Sequence, residues 1–274
     1  MDIEILATPK DITEKKLKEK AAVIFDVLRA TSTIVTALAN GCRAVIPAKE
    51  IAEAKRIEGE LKSKDVLLGG ERGGERAPGF PHGNSPLEYP QAVVAGKVLV
   101  LTTTNGTRAI RLAAKGASVL LIGSLLNARA VAGRLWELQN DVVLVCAGTN
   151  GNFSLEDALA AGVVVKEILS LASGRNKIGC REGDPENLRR SGPATEAGPG
   201  NPPVILSDLA TAVYRLALWY GDNLLPAFYD SRHGQRLLRL GLAGDLEHCS
   251  RLNLYDLVPV YRQGIITVPW LSLL

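Results

Sequence analysis

Six short apolar, β-branched runs, at residues 21–26, 43–47, 65–68, 97–101, 118–122 and 141–146, alternate with stretches whose apolar residues recur three and four apart. A run of four to six such residues suits a strand covered on both faces, whereas the three-and-four spacing marks an amphipathic helix. The helical stretches are 31–40, 51–61, 107–114 and 128–138, the first closing on Gly41 in the manner of a helix C-terminus. Strand–helix–strand alternation predicts an α/β fold of three layers, α/β/α, around a mainly parallel or mixed sheet. In such sheets ligands bind in a crevice at the carboxyl ends of the strands, so the residues that follow each strand carry the functional information.

Further along, 155–171 and 209–219 read as nearly all-apolar, buried helices, and 234–240 and 242–249 as short ones. Residues 258–261 and 265–268 read as a hairpin turning at Arg262-Gln263-Gly264. Between the two apolar helices the composition breaks: 174–203 is rich in Gly, Pro and charge and is expected to be a flexible surface insertion. With 274 residues and 46% hydrophobic content, the chain is expected to form one α/β domain over 1–274, or two intimately packed lobes.

The charge balance, 32 Lys+Arg against 29 Asp+Glu, leaves only +3, with no concentrated basic face, so no nucleic-acid partner is expected. No apolar run approaches the ~18 residues of a membrane span, and Met1 leads into a charged, strand-like segment instead of a signal peptide. The expectation is a soluble, cytoplasmic protein without a membrane partner, with a homo-oligomer left open. Cys42, Cys146, Cys180 and Cys249 stand far apart without C-x-x-C spacing, which points to reduced structural thiols.

Four polar, glycine-rich loops follow predicted strands: 25–32, 69–74, 102–107 and 146–151. They are expected to converge. In Thr102 to Thr107, small hydroxyl residues and Asn-Gly lead into a helix whose free N–H groups can receive phosphate, which makes Thr103, Thr104, Asn105, Gly106 and Thr107 candidate contacts. The alternative there is an ordinary cap and turn. Asp26 and Arg29 suit opposite tasks on one phosphoester, a carboxylate for a cation and a guanidinium for oxygens, or else form a local ion pair with Thr31 or Ser32 capping the next helix. Glu71, Glu156 and Asp157 add hard oxygen ligands, so Mg²⁺ is the expected ion, with Asp26, Glu71 and one of the Glu156/Asp157 pair holding it. Thr31, Ser32, Asn84, Ser85, Gly148, Thr149 and His233 complete the candidate substrate contacts, and Arg72 joins Asp26, Arg29 and Glu71 as a catalytic candidate. His82 is a second loop histidine, and His248 reads as packing.

Familiar phosphate chemistries fail on single residues. The Thr104–Thr107 loop lacks the Walker A lysine, and G-x-G-x-x-G is missing. Cys146 is followed six positions on by Asn152 where a thiol phosphatase needs arginine, and Asp26 by Leu28 where a haloacid-dehalogenase-type enzyme carries a second aspartate.

Read together, DVLRATSTIVTALANG (26–41), GGERGG (69–74), GFPHGNSPLEY (79–89), TTTNGTRA (102–109) and CAGTNGNFSLEDALAAG (146–162) resemble the 2-phosphosulfolactate phosphatases. A weaker match joins Ser231, His233, Gly234, Gly241, Asp245, Cys249 and VPV at 258–260. The resemblance implies a Mg²⁺-dependent hydrolase converting 2-phospho-3-sulfolactate to 3-sulfolactate and phosphate, toward coenzyme M. Arg29, Arg72, Arg108 and Arg232 would then meet the charge of that small anionic phosphoester. Direct attack by water is the expected mechanism, and Asp26 as covalent nucleophile the alternative. A non-catalytic protein that binds an anionic metabolite, or a phosphatase for another 2-phospho-hydroxyacid, remains the other reading.

Overall fold

The computed structural model describes residues 1–174 and 201–269. The 174–203 insertion lies almost wholly outside the described residues. Its flanks are tied together, the Asn201 side-chain amide donating to the Ala172 carbonyl at 2.9 Å. In chain order the elements are β1 (Asp2–Leu6), α1 (Glu14–Leu17), β2 (Ala21–Phe25), α2 (Ala30–Ala39), β3 (Ala44–Ala48), α3 (Ile51–Leu61), β4 (Val66–Arg72) and β5 (Glu75–Arg76). There follow α4 (Gln91–Val94), β6 (Val98–Thr102), α5 (Gly106–Ala113), β7 (Val119–Gly123), α6 (Ala128–Leu138), β8 (Val142–Cys146) and α7 (Leu155–Ala172). The last elements are β9 (Ile205–Leu206), α8 (Asp208–Tyr220), α9 (Leu225–Asp230), α10 (Arg232–Arg239), α11 (Ala243–Cys249), β10 (Val260–Arg262) and β11 (Ile265–Thr267).

Among the described residues eleven strands join one sheet, in the order β5-β4-β6-β3-β11-β10-β7-β2-β8-β1-β9. Two interior strands, β2 and β8, are buried at every residue, as their unbroken apolar sequences AAVIF and VVLVC require. Their side chains alternate between layers. Val23, Phe25, Leu144 and Cys146 face the core beneath α6, α7 and α8, while Ala22, Ile24, Val143 and Val145 face a second core with α2 and α5. Helix α7 is apolar nearly all round because α6 and α8 both cover it, and Gly162 is where α8 comes closest: a Cβ there would lie 2.0 Å from the Val213 carbonyl oxygen.

The C-terminal hairpin makes the sheet mixed. Gln263 (φ 50°) and Gly264 (φ 90°) form its two-residue turn, both in the left-handed region that such turns demand. It wedges between β3 and β7, antiparallel to each, with Ile266 opposite Val45 and Val260 opposite Leu121. The parallel block β4-β6-β3 and the parallel block β7-β2-β8-β1-β9 therefore run in opposite senses. They share one apolar layer, in which Leu99 and Leu101 of the first block and Ile24 and Val145 of the second pack with Ile34 and Leu38 of α2 and Ile110 of α5. Among the described residues no helix is long and apolar enough to cross a membrane.

Candidate active site

Two buried carboxylates stitch the four loops together through backbone amides. Asp157, in the first turn of α7, accepts from the Val27 amide at 2.8 Å and the Gly148 amide at 3.0 Å, and so joins the loops after β2 and β8. Glu71, at the end of β4, accepts from the Gly74 amide at 2.7 Å and the Thr104 amide at 2.7 Å, and joins the loops after β4 and β6. Asp26 stands between them. Its Oδ1 accepts from the Ala30 amide at 3.2 Å, and its Oδ2 faces Gly106, where a Cβ would lie only 2.6 Å away. Gly106 is therefore glycine to let the start of α5 meet that carboxylate, an arrangement its N-terminal dipole favours.

Hydroxyl groups brace these loops from behind. Thr31 Oγ1 accepts from the Asp26 amide, Ser32 Oγ donates to the Val27 carbonyl, and Thr103 and Thr107 exchange side-chain and backbone bonds across the first turn of α5. Arg29, 4% exposed, donates to Asp245 Oδ2 at 2.6 Å and to the Gly74 carbonyl at 2.6 Å. Asp245 in turn accepts from Ser85 Oγ on its other oxygen. The ion pair of this site is Arg29–Asp245, and Asp26 is left without a cation.

A cavity of about 40 Å³ lies in front of these groups, lined by Asp26, Arg29, Glu71, Gly73, Gly74, Asn84, Thr104, Asn105, Thr149, His233 and Arg236, among others. A second, of about 430 Å³, adjoins it and is lined on its acidic side by Glu156. Burial raises the Asp26 carboxyl to about 7, helped by the charges of Glu71 and Glu156 and opposed by the Ala30 and Gly106 amides. Burial likewise lifts Glu156, and lifts Asp157 well above the carboxylate range with help from Glu156 and Asp26. His233 is pushed down to about 4, first by burial and then by the nearby Arg29, so its imidazole is neutral at physiological pH. A buried cluster of acids whose neighbouring Arg29 is already paired with Asp245 favours a bound cation.

The sequence pattern described as 2-phosphosulpholactate phosphatase matches residues 6–264. The chain belongs to the 2-phosphosulpholactate phosphatase family. It is 40% identical over 268 residues to a probable 2-phosphosulfolactate phosphatase of Clostridium tetani, covering 97% of this chain and 100% of that protein. It is similar to proteins of the same name from Clostridium acetobutylicum, 39% identical with 97% and 100% covered, and Carboxydothermus hydrogenoformans, 39% identical with 94% and 92% covered. Membership carries the class of phosphoric monoester hydrolase.

In this phosphatase family member, the expected residues separate into two sets. Asp26, Arg29, Glu71, Asn84, Thr104, Asn105, Thr149 and His233 line the first cavity, and Glu156 the second. Thr31, Ser32, Ser85, Thr103 and Thr107 spend their hydroxyls on the protein itself, and Gly106 and Gly148 serve close packing and a left-handed turn (φ 65°). Arg72 turns away: its guanidinium donates to Thr102 Oγ1 at 3.0 Å and to the Glu71 carbonyl at 2.6 Å, and lines a separate groove with Arg108. His82 lies with its ring tilted against Tyr89 and His248 bonds Thr36 Oγ1 at 3.1 Å, both outside these two cavities. Sequence reasoning did not assign site roles to Asp245 or Arg236. Asp245 is 216 residues from its partner Arg29, and only the fold brings them together. For Arg236 a signal did exist, its helical spacing of four from Arg232.

Proposed function

We propose that this chain is a Mg²⁺-dependent phosphatase of the cytoplasm that hydrolyses 2-phospho-3-sulfolactate to 3-sulfolactate and phosphate, a step toward coenzyme M. The observation that carries this reading is the buried carboxylate cluster, with Asp26 at about 7, in front of a cavity that a fixed arginine also lines. Among the described residues no three His, Cys, Asp or Glu side chains form a ready-made metal cage. Mg²⁺ needs no such cage, because it keeps several waters and binds through one or two carboxylates and the substrate's phosphate. Asp26 and Glu71 line one cavity and offer only oxygen, so they would hold the ion; Glu156 would add charge from the adjoining side. Bound there, Mg²⁺ supplies Lewis-acid polarisation of a phosphoryl oxygen.

The protein's own groups do the rest. Arg29 uses two guanidinium N–H groups on Asp245 and Gly74, and its remaining donors serve phosphoryl oxygens from a side chain that cannot swing away. Rigid donors of this kind lower the barrier because they need no reorganisation when charge develops on the phosphoryl group. Neutral His233 and Asn84 offer uncharged polar atoms for the attacking water and the ester oxygens. A sensor of anionic metabolites would face repulsion from the same acids. The test is phosphate release from a panel of 2-phospho-hydroxyacids with Mg²⁺, after EDTA, and after Mg²⁺ is restored. Turnover that requires the metal and favours the sulfonated ester supports the reading. Full rate in metal-free protein, or no release from any ester, overturns it.

A further inference from the structure

The larger cavity contains groups that the mechanism above does not use. It adjoins the acidic cavity, and Thr149, Asn150, His233 and Arg236 line both. Arg232, Arg236 and Arg239 all line it, from positions i, i+4 and i+7 of α10, which is one face of the helix. None of the three forms an ion pair with a carboxylate among the described residues. Arg236 gives one N–H to the Gly73 carbonyl. Like charges spaced four apart on a helix destabilise it, so three guanidiniums without a carboxylate partner on one face favour a bound anion.

A second observation is independent of charge. Among the described residues, the buried side-chain polar atoms without a hydrogen-bond partner are Asn84 Oδ1, Ser154 Oγ and His233 Nδ1. Each belongs to a residue that lines one of the two adjoining cavities. Buried polar atoms are satisfied in the great majority of cases, so Ser154 Oγ and His233 Nδ1, which can donate and whose residues both line the larger cavity, mark where a ligand's oxygens go.

We infer that the larger cavity is the acid-recognition subsite, in which Arg232, Arg236 and Arg239 receive a sulfonate carried on the substrate beyond its phosphate. This rests on the phosphatase reading and adds the residues that would set specificity. Three guanidiniums match a sulfonate, whose three oxygens give each one an acceptor, better than a planar carboxylate with two. Glu156 is the one acid among the residues lining this cavity.

The test compares kcat and KM on 2-phospho-3-sulfolactate and on 2-phospholactate, which has a methyl group in place of the sulfomethyl group. Parent, Arg232→Ala, Arg239→Ala and Arg239→Lys are measured, both alanine sites being exposed on the surface. Losing one charge-assisted bond should lower the ratio of kcat/KM for the sulfonated over the unsulfonated ester by about 10- to 100-fold. The change should lie mainly in KM, and Arg239→Lys should recover part of it. An unchanged ratio, or equal losses on both esters, overturns the inference. If the parent hydrolyses neither ester, the phosphatase reading fails by itself. Calorimetric binding of 3-sulfolactate then decides the subsite: binding weakened about 10-fold or more by Arg239→Ala supports it, and no binding to the parent refutes it.

Discussion

Replacing Asp26 by Asn should make the metal-free protein more stable and, at the same time, nearly inactive. The ordinary aspartate value is 3.8, and burial with its acidic neighbours raises Asp26 to about 7. Because the folded value is the higher one, the folded protein holds this proton better than the unfolded chain does. The charge has no stability cost below about pH 4, and its cost grows as pH rises and is complete above about 7. The gap between 3.8 and about 7, at roughly 1.4 kcal/mol per pH unit, comes to about 4 kcal/mol. Asn keeps an oxygen for the Ala30 amide but turns an N–H₂ group toward the Gly106 amide, which offsets on the order of 1 kcal/mol. Denaturant unfolding at pH 8 in EDTA should therefore show Asp26→Asn more stable than the parent by about 2–4 kcal/mol, and the difference should shrink steadily toward pH 5. Added Mg²⁺ should stabilise the parent and barely move the variant, while turnover in the variant falls about 10²-fold or more and returns in part at high Mg²⁺. A variant no more stable than the parent at pH 8, or a difference independent of pH, would refute the argument that an uncompensated charge sits at Asp26.

Asp245→Asn should leave buried Arg29 unpaired and lower stability by about 3–5 kcal/mol, with loss of turnover, as read by denaturant midpoint and phosphate release. The His233 ring should show its titration near pH 4 by NMR and none between pH 6 and 8; an inflection near 6.5 would mean that it is not buried against Arg29. Cys146 is fully buried beneath the loop it begins, with its thiol held well above the ordinary range by burial, so native protein should resist thiol reagents at this position. Cys146→Ser should retain a substantial part of the rate, and rapid quench with ³²P-labelled ester should trap no phosphocysteine.

Local physics wrote much of this protein into its sequence. A run such as AAVIF can be satisfied only between two covered faces, so β2 and its parallel neighbours were legible, as were the helices whose apolar residues recur three and four apart. The loops after β2, β4, β6 and β8 were legible too, because a change from apolar residues to glycine and small hydroxyl residues marks where a strand ends and turns. β5, β9 and α9 left too few residues for a periodicity to register. What tertiary structure decided was where each polar atom spends its bonds. Thr31, Ser32, Thr103 and Thr107 look like phosphate ligands in sequence, yet a nearby backbone group reaches each hydroxyl first. Arg29 could have paired with Asp26, three residues away, but packing of α11 against the Ser85 loop offers it Asp245 instead, and that choice leaves Asp26 as a buried acid without a paired cation. The hairpin was visible as a turn between apolar strands, but its insertion between β3 and β7 depends on contacts more than 100 residues apart, which no local pattern encodes.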